Sequence, residues 1–306
     1  MKILVTGATG FIGSHLVSAL VRQGKYSVSI IRRRGSNDAF PSDVDGQVKK
    51  YSLDEKDNSS IIKIVENDSP DIVIHLASLF LSSHTSDQIE PLIQSNITFS
   101  SKLLDAMVDH GIKYFINTGT LWEHYTNEAD YNPVNLYAAT KRAFEDVLQY
   151  YTRAYDLKAC TLKFFDTYGP HDRRKKLFNV LKSGLDGKET LQFSPGEQEL
   201  DLLYVDDAVN AYIKTIDYLK KKKERGHDIF FIGSGKSVRL KDVVATFEEI
   251  YDQKLKINWG GRPYRDREIM TAKADIKKAQ DVLGWTPKVS LKEGLITMYQ
   301  QEVEND

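Results

Sequence analysis

The sequence contains one cysteine among its 306 residues and no excess of charge of either sign. Cys160 cannot form an internal disulfide, and its apolar neighbours predict a buried thiol without a chemical role. Lysine and arginine total 42 residues and aspartate and glutamate total 43. This balance gives no indication of a nucleic acid or an anionic membrane as a partner.

Long apolar runs and metal-ligand patterns are also missing. No stretch approaches the roughly 18 apolar residues of a membrane span, and the amino terminus lacks the features of a signal peptide. The seven histidines are scattered, without the spacing of metal ligands. We therefore expect a cytoplasmic protein with no membrane contact and no bound metal. A hydrophobic content of 41% allows a sizeable core.

Short apolar runs alternate with helical patterns through the first half of the chain, which predicts βαβ units. We expect an α/β fold: a Rossmann-type doubly wound parallel sheet with a smaller α/β substrate-binding domain. The rhythm becomes irregular after Phe165, which predicts two interleaved domains, residues 1–165 plus about 201–232, and about 166–200 plus 233–306. The expected strands are residues 2–6, 27–31, 72–76, 114–117 and 159–164, and the expected helices are residues 11–23, 59–68, 91–110, 136–154 and 206–218.

Three glycines mark the turn after the first expected strand, with the spacing G-x-x-G-x-x-G. Glycines at such a junction let the backbone approach a pyrophosphate, which rests on the helix N-terminus. An ordinary tight turn is the alternative reading of a glycine triplet. Its place in a βαβ pattern favours a dinucleotide site made by Gly7, Thr9, Gly10, Phe11, Ile12 and Gly13.

The end of the second strand indicates which dinucleotide binds. A site for NAD usually has an acidic residue there, which accepts from the ribose 2′-hydroxyl. This strand instead ends in arginines at positions 32–34, and guanidinium groups would pair with a 2′-phosphate. We therefore expect NADP(H), contacted by Arg32 and Arg33. NAD(H) is the alternative cofactor, and a solvated basic loop is the alternative role for the arginines.

Tyr137 and Lys141 lie four residues apart in an expected helix, which places both on one face. A nearby ammonium favours the phenolate and lowers the pKa of a tyrosine, so that the phenol can exchange a proton near neutrality. The pair alone is common by chance on helices. Within a nucleotide-binding pattern it predicts that Tyr137 is an acid or base.

The glycine turn, Thr118 after the strand 114–117, Tyr137 and Lys141 together resemble the extended short-chain dehydrogenase/reductase family. The resemblance continues at residues 75–77, 168–170, 204–207 and 283–287, and so covers nearly the whole chain. It implies that Thr118 hydrogen-bonds the reacting oxygen and that Lys141 also holds the nicotinamide ribose. It further implies a homodimer through the helix of Tyr137, a structural role for Asn96, and cofactor contacts by Leu76 and Ala77.

Members of this family include sugar 4,6-dehydratases, 4-epimerases and 4-ketoreductases. The dehydratases carry Asp-Glu directly after the catalytic threonine, whereas this chain has Gly119 and Thr120 after Thr118, so dehydration is not expected. Epimerases generally hold NAD tightly, whereas the arginines at 32–34 favour exchangeable NADPH. Within the family the chain looks most like the CDP-abequose/CDP-paratose synthase group, at residues 133–137, 195–198 and 265–270.

That resemblance implies NADPH-dependent reduction of the 4-keto group of a nucleotide-activated (3,)6-(di)deoxyhexose. The first domain would then bind NADP(H) and the second the nucleotide sugar. An NAD-dependent nucleotide-sugar 4-epimerase is the nearest alternative. A non-catalytic NADP(H)-sensing protein is the alternative of another class, and the intact set of Thr118, Tyr137 and Lys141 argues against it.

The expected sugar-nucleotide contacts come from a loop beside the catalytic threonine and from the second domain. Arginines 262, 265 and 267 would clamp a diphosphate, or would pair with Asp266 and Glu268 in a solvated loop. Asp166 stands where many relatives have asparagine, so it would face sugar hydroxyls or serve structure. His124 is either a second acid or base, or a surface or core histidine. The substrate-binding set is Thr120, Trp122, Asp166, Arg262 and Arg265.

Overall fold

The structure was obtained as a computed structural model, which describes residues 1–36, 40–54, 57, 59–126 and 130–303. Its strands are short and follow one another along the whole chain. They are β1 (Lys2–Thr6), β2 (Ser27–Arg33), β3 (Val48–Leu53), β4 (Ile72–His75), β5 (Tyr114–Thr120), β6 (Lys158–Phe164), β7 (Asp166–Tyr168), β8 (Leu191–Phe193), β9 (Glu199–Leu200), β10 (Leu202–Tyr204), β11 (Gly226–Ile232), β12 (Val238–Arg239) and β13 (Ile257–Trp259).

Helices separate most of these strands. They are α1 (Phe11–Arg22), α2 (Ser42–Asp45), α3 (Ser60–Asp68), α4 (Ile89–Ile93), α5 (Phe99–Asp109), α6 (Leu136–Ala154), α7 (Leu177–Ser183), α8 (Val205–Lys221), α9 (Leu240–Ile250) and α10 (Leu291–Val303). A π-helical turn (Gln94–Thr98) joins α4 to α5, and another lies at Ala279–Leu283. Short 3₁₀ turns lie at Ser86–Gln88 and Leu121–Glu123.

A parallel sheet organises the molecule. Within the described ranges, seven strands pair in the order β11-β6-β5-β4-β1-β2-β3, every pair parallel. The chain order reverses between β1 and β4, and in sheets of this kind ligands bind at the carboxyl ends of the strands beside that point. The predicted doubly wound α/β fold is confirmed.

Helices cover both faces of the sheet, because its strands are apolar on both sides. Ile3 and Val5 of β1 face a core formed with α1 and α8, whereas Leu4 faces a core formed with α3, α5 and α6. Successive side chains of a strand point to opposite faces, which explains the alternation. Continuous apolar strands of this kind belong to sheets that are buried on both faces.

A further core lies outside the sheet. It packs α7, α9 and α10 around Tyr168, Tyr204 and Phe247, and three two-stranded pairs run through it: β7 with β10, β8 with β13 and β9 with β12. This region holds the segments that follow Phe165. The predicted division into two domains, and the predicted homodimer, stay predictions.

The structure differs from the sequence prediction at three places in the sheet. The strands β3 and β11, which form its two edges, were not predicted. In addition, β5 runs on to Thr120, so the prediction that Thr118 follows the strand is wrong. The expected helix 91–110 is also interrupted by the π-helical turn at Gln94–Thr98.

Candidate active site

Glycines shape the turn between β1 and α1 because side chains would not fit. Gly7 has a φ of +69°, and a Cβ there would lie 2.5 Å from the backbone nitrogen of Ala77. A Cβ on Gly13 would lie 2.2 Å from the carbonyl oxygen of Gly7. No described side chain caps α1 at Gly10, and its first turn has no acidic residue. The backbone N–H groups of the first turn of α1 lie at the positive end of the helix dipole and fit a pyrophosphate.

The other residues predicted for this turn have different surroundings. Thr9 is exposed, Phe11 is buried and Ile12 is half-buried. The ring of Phe11 lies 4.5 Å from the guanidinium carbon of Arg174. Thr9 therefore has the exposure that a ligand contact needs, whereas Phe11 mainly anchors the first turn of the helix.

The end of β4 packs directly against this turn. His75 is fully buried, with ring nitrogens 2.7 Å from the Thr6 hydroxyl and 2.8 Å from the Ser100 hydroxyl. Burial, followed by the nearby Lys141 ammonium, holds its pKa well below the ordinary value. His75 is thus a neutral residue that packs between β1 and α5. Half-buried Leu76 and Ala77 follow it beside the glycine turn.

Three arginines end the second strand and differ in exposure. Arg32 is half-buried and Arg33 is exposed, both within β2. Arg34 lies just beyond the strand, and its guanidinium is 3.3 Å from a carboxylate oxygen of Asp54. The pattern that predicted a 2′-phosphate site is therefore present at the expected edge of the sheet. Which nicotinamide dinucleotide binds there stays a prediction.

Tyr137 and Lys141 lie one turn apart near the start of α6. The helix begins at the N-cap Asn135, whose side chain accepts from the N–H of Ala138 at 2.9 Å. Burial raises the pKa of Tyr137 to about 12, partly offset by a hydrogen bond with Ser78. The prediction of a lowered pKa for this phenol is therefore wrong, because burial outweighs any effect of the ammonium.

Lys141 is only 2% exposed and lies against the core. Burial lowers the pKa of its ammonium to about 8, while the charges of Glu145 and Glu123 act in the opposite direction. The ammonium form therefore persists at neutral pH despite the apolar surroundings. This charge can stabilise a phenolate on the same helix.

Two threonines of β5 point to the same face of the sheet. The hydroxyl of Thr118 is 2.7 Å from the phenol oxygen of Tyr212 on α8. Thr120 lies two residues nearer the carboxyl edge, and its hydroxyl accepts from the N–H of Trp122 at 3.2 Å. The catalytic role of Thr118 stays a prediction, and Thr120 offers a second hydroxyl closer to the strand end.

A cavity of about 440 Å³ opens beyond the carboxyl ends of β4, β5 and β6. Phe80, Trp122 and Asp166, which follow these three strands, line it on the sheet side. The rings of Phe80 and Trp122 lie 5.5 Å apart, and we call this pair the aromatic wall. The ring of Phe80 is 4.9 Å from that of Tyr137, edge to face. The wall therefore joins the cavity to the predicted proton donor.

The lining of this cavity is rich in charged residues. It contains four cations, Lys175, Lys176, Arg262 and Arg265, and three acidic residues, Asp166, Asp172 and Glu268. The ammonium of Lys176 lies 2.8 Å from a carboxylate oxygen of Asp166 and 4.5 Å from the centre of the Phe80 ring. The remaining cations suit an anionic ligand such as a diphosphate.

Asp166 is neutralised by Lys176. Burial raises the pKa of its carboxyl group, but the Lys176 ammonium, with Arg174 and Arg265 nearby, lowers it below the ordinary value overall. Asp166 therefore remains ionised and paired. This arrangement removes the repulsion of phosphate that an acidic residue at this position would otherwise cause.

Arg267, the third arginine of its segment, lies apart from the other two. Its guanidinium donates to the carbonyl oxygen of Pro133 at 3.2 Å and to the side chain of Asn132, and it lies 4.4 Å from the ring of Tyr125. Arg267 thus connects the segment of Arg262 and Arg265 to the loop that precedes α6. That contact holds the cationic segment over the cavity.

Comparison with known proteins shows the family. The pattern of the NAD dependent epimerase/dehydratase family matches residues 3–233, which run from the first strand of the sheet to just past the last. The chain belongs to this family. The glycine turn and the Tyr137–Lys141 pair of this epimerase/dehydratase family member both lie within the match.

Relatives of this family member carry different reactions in their names. CDP-abequose synthase of Salmonella muenchen is 28% identical over 299 residues, which cover 97% of this chain and 96% of that protein. The solved UDP-glucose 4-epimerase of Thermotoga maritima with UDP-glucose has a TM-score of 0.87 at 27% identity, covering 100% of this chain and 99% of the other. The Bacillus cereus UDP-glucuronic acid 4-epimerase with UDP-glucuronic acid and NAD has a TM-score of 0.84 at 25% identity, covering both chains fully.

Sequence reasoning missed several residues of the site. Phe80 lies in the loop after β4, whose place at the carboxyl edge of the sheet was the available signal. Lys176 ends a run of four basic residues, 173–176, soon after the stretch 168–170 that carries part of the family resemblance. Tyr212 carried no local signal, because its partner Thr118 is 94 residues away in the chain.

The remaining candidates lie outside the cavity. A ring nitrogen of half-buried His124 is 2.9 Å from the carbonyl oxygen of Asp130, and the role of this histidine stays a prediction. Burial raises the pKa of the Cys160 thiol. Across the described residues, no group of three or more histidine, cysteine or acidic side chains could hold a metal ion. Nor does any described helix have the length and apolar character to cross a membrane.

Proposed function

We propose that this chain reduces the 4-keto group of a nucleotide-activated (3,)6-(di)deoxyhexose with NADPH. The observation that carries the proposal is the place of Tyr137, whose phenol keeps its proton and contacts the aromatic wall of a cation-lined cavity. A proton donor beside a ketone, a hydride cofactor and a cationic region for a diphosphate are what this reduction needs.

The chain's residues fit the proton transfer of a reduction. NADPH supplies the hydride when it is bound. Because the pKa of Tyr137 is about 12, the phenol holds its proton at neutral pH and can donate it to the negatively charged oxygen that hydride transfer leaves. The Lys141 ammonium, one turn along the helix, stabilises the phenolate, and a threonine hydroxyl of β5 orients the reacting oxygen.

The cofactor choice rests on the end of β2. Arg32 and Arg33 stand at the strand end, where an acidic residue would accept from the 2′-hydroxyl of NAD. Guanidinium groups at this place favour a 2′-phosphate. An exchangeable NADPH also fits a reaction that consumes reducing equivalents.

The proposed substrate class is inferred from two parts of the cavity lining, its arginines and its aromatic wall. Arg262 and Arg265 offer cations to a nucleotide diphosphate, whereas the aromatic wall offers apolar surface beside Tyr137. Apolar surface suits sugar carbons that lack hydroxyl groups, because a hydroxyl buried there would lose hydrogen bonds to water. The similarity to CDP-abequose synthase over nearly the full length supports the same class.

An NAD-dependent nucleotide-sugar 4-epimerase is the second candidate. It is supported by the solved 4-epimerases of Thermotoga maritima and Bacillus cereus, the second of which holds NAD. Epimerisation needs the same tyrosine first as a base, so the phenol would have to lose its proton before hydride transfer. The arginines at the end of β2, which favour an exchangeable NADPH over a tightly held NAD, support reduction instead.

The deciding experiment combines purified protein, NADPH and CDP-4-keto-3,6-dideoxyglucose, and follows the absorbance of the reduced nicotinamide. Rapid NADPH oxidation with a stoichiometric reduced sugar supports the proposal, and NMR then gives the configuration at C4. No oxidation, together with NAD that co-purifies with the protein, supports the epimerase instead. If the purified protein carries no NAD and oxidises no NADPH, the dTDP- and GDP-linked keto sugars are tested next.

Tyr137→Phe tests the proton donor. We expect a loss of turnover of at least about 100-fold, because general acid catalysis contributes roughly 10²–10⁴-fold. NADPH affinity should change little. Tyr150→Phe is the matched control, since Tyr150 lies on the same helix and is 59% exposed. Substantial activity in Tyr137→Phe would overturn the assignment.

A further inference from the structure

Three charged side chains are buried together beneath the catalytic helix. Lys163 of β6 has its ammonium 2.6 Å from a carboxylate oxygen of Glu123 and 2.9 Å from one of Glu145. All three side chains are at most 2% exposed. Glu123 lies in the 3₁₀ turn after β5 and Glu145 lies on α6. One buried cation therefore faces two buried carboxyl groups, which we call the carboxyl pair.

The charge of this cluster does not balance unless a proton is added. Burying an uncompensated carboxylate is strongly unfavourable, and a group in that position takes up a proton instead. In the described residues, one oxygen of Glu123 and one of Glu145 are buried without a hydrogen-bond partner, while the other Glu145 oxygen lies 2.9 Å from the Lys163 ammonium. The two carboxyl groups are also near enough to hydrogen-bond each other. A shared proton would satisfy both the charge and the unpartnered oxygens.

The titration of the carboxyl pair agrees with a shared proton. Burial, followed by the charge of Glu123, raises the pKa of Glu145 to about 7. Burial also raises the pKa of Glu123, against the attraction of Lys163. Two interacting acids of this kind release their protons as a pair, so the value of about 7 describes the pair.

The fold makes room for the cluster at a glycine of β5. A Cβ on Gly119 would lie 2.8 Å from the Cγ of Lys163 and 2.9 Å from an oxygen of Glu145. Gly119 stands between Thr118 and Thr120, the two threonines of the candidate active site. The cluster is therefore built into the strand that carries the reacting hydroxyls.

The other charged groups around the cluster come from three elements. Lys141 lies four residues before Glu145 on α6, so both are on one face of the helix, and the charges of Glu145 and Glu123 raise the pKa of Lys141. Arg142, also on α6, lowers the pKa of Glu123. From β11, His227 stays neutral, because burial and then Lys163 lower its pKa to about 4. Tyr131, in the loop before α6, has its pKa raised by burial and then by Glu123. Of these groups, Lys141 is the one placed beside the proton donor.

We propose that Glu123 and Glu145 are positioning residues that keep Lys141 charged. The two carboxyl groups share one proton beside Lys163, so that the pair and the Lys163 ammonium together carry no net charge. As pH rises and the shared proton leaves, the added negative charge holds the proton on Lys141 more strongly. The proposal rests on the proposed function, in which that ammonium stabilises the phenolate of Tyr137.

The first test is the pH profile of kcat/KM for the proposed reduction. Glu123→Gln keeps the shape of the side chain and removes one carboxylate, so Lys141 should lose its proton at lower pH. We expect the alkaline limb of the profile to move down by about one pH unit, the lower end of the effect of a nearby opposite charge. Glu123→Asp should restore most of the wild-type limb, and Glu66→Gln, an exposed change on α3, should not move it.

A second readout needs no turnover, namely the thermal midpoint Tm as a function of pH. The pKa of Glu145 is raised from an ordinary 4.5 to about 7 in the folded protein. The shared proton therefore stabilises the fold fully below about pH 4.5, and this stabilisation is lost as pH rises to about 7. Between pH 5 and 8 the wild-type Tm should fall more than that of Glu123→Gln, in which one carboxylate no longer competes for the proton.

A third readout is the affinity for NADPH across the same pH range, since the resemblance places Lys141 on the nicotinamide ribose. Alkaline loss of affinity should begin about one pH unit lower in Glu123→Gln. If no keto sugar is reduced, the proposed reaction fails, while the Tm and affinity comparisons still decide on the carboxyl pair. Identical pH dependence of Tm and of affinity in wild type and Glu123→Gln would overturn the inference.

Discussion

Arg33 and Arg34 are neighbours at the end of β2, but their surroundings differ. Arg34 is engaged with Asp54, whereas Arg33 is an exposed residue at the last position of the strand. Exposed ion pairs contribute little to stability, so neither arginine is explained by the fold. Binding of a 2′-phosphate would explain the arginine at position 33. Arg33 is therefore the position to substitute, and Arg34 is the control.

Arg33→Ala should weaken NADPH binding by roughly 10- to 100-fold, because hydrogen bonds to charged groups contribute about 1.5–3 kcal/mol. The affinity for NADH should stay the same, since NADH has no 2′-phosphate. Arg34→Ala should leave both affinities within about twofold. Fluorescence titrations with the two reduced cofactors measure these values, and an equal loss for NADPH and NADH would show that Arg33 does not recognise the 2′-phosphate.

The loop after β4 is held from two sides by asparagines. Asn96, in the π-helical turn, accepts from the N–H of Leu79 at 2.7 Å and donates to its carbonyl oxygen at 3.0 Å. Asn135, the N-cap of α6, donates to the carbonyl oxygens of Leu81 and Ser82 at 3.3 and 3.1 Å. The element that carries Phe80 is therefore tied to the helix that carries the proton donor. This agrees with the structural role expected for Asn96.

Substitutions of Asn135 separate its two tasks. Asn135→Ala should cost about 1 kcal/mol in the free energy of unfolding through the lost cap, and should also lower kcat/KM roughly 10-fold or more because the loop of Phe80 loosens. Asn135→Ser keeps a capping oxygen but is too short to reach the loop. We expect near-normal stability with the same loss of activity. Denaturant unfolding measures the stability, and steady-state kinetics measure kcat/KM. Normal activity in Asn135→Ser would show that the contact between Asn135 and the loop of Phe80 does not contribute to catalysis.

The sequence predicted the central strands of the sheet but missed both edges. The strand β3 contains Lys49 and Lys50, and β11 begins with Gly226, His227 and Asp228. Edge strands contact one neighbour only and tolerate polar residues. The strand β3 therefore lacks a continuous apolar run, and in β11 the apolar run is confined to residues 229–232. Charged residues also protect an edge from pairing with other chains, which explains why they occur here.

The candidate site was predicted where local pattern decides the structure. The glycine turn and the spacing of Tyr137 and Lys141 depend on neighbours in the chain, and the structure places them at the expected edge of the sheet. The high pKa of Tyr137 was not predictable in this way, because it depends on burial by distant segments. The pairing of Lys163 with Glu123 and Glu145 likewise joins residues that are 40 and 18 positions apart in the chain.

The cavity exists because two parts of the molecule face each other. The sheet presents the aromatic wall and Asp166, while the segments after Phe165 present Arg262 and Arg265. A buried carboxylate fastens these segments next to the sheet. Asp201 accepts from the backbone N–H groups of Ser234 at 2.6 Å, Gly235 at 3.2 Å and Ala274 at 2.9 Å.

Asp201→Asn should loosen this junction, because an amide group must turn a donor toward at least one of the three N–H groups. We expect a loss of about 2 kcal/mol and a fall in Tm of roughly 4–8 °C. Ala274 lies nine positions after Arg265 in the same segment, so KM for the sugar nucleotide should rise severalfold. NADPH affinity should not change, since the glycine turn lies on the other side of the sheet's switch point. Asp281→Asn, an exposed change, is the control. An equal loss of NADPH affinity would show that the junction supports both sites, and the cavity would then be one cooperative unit with the cofactor turn.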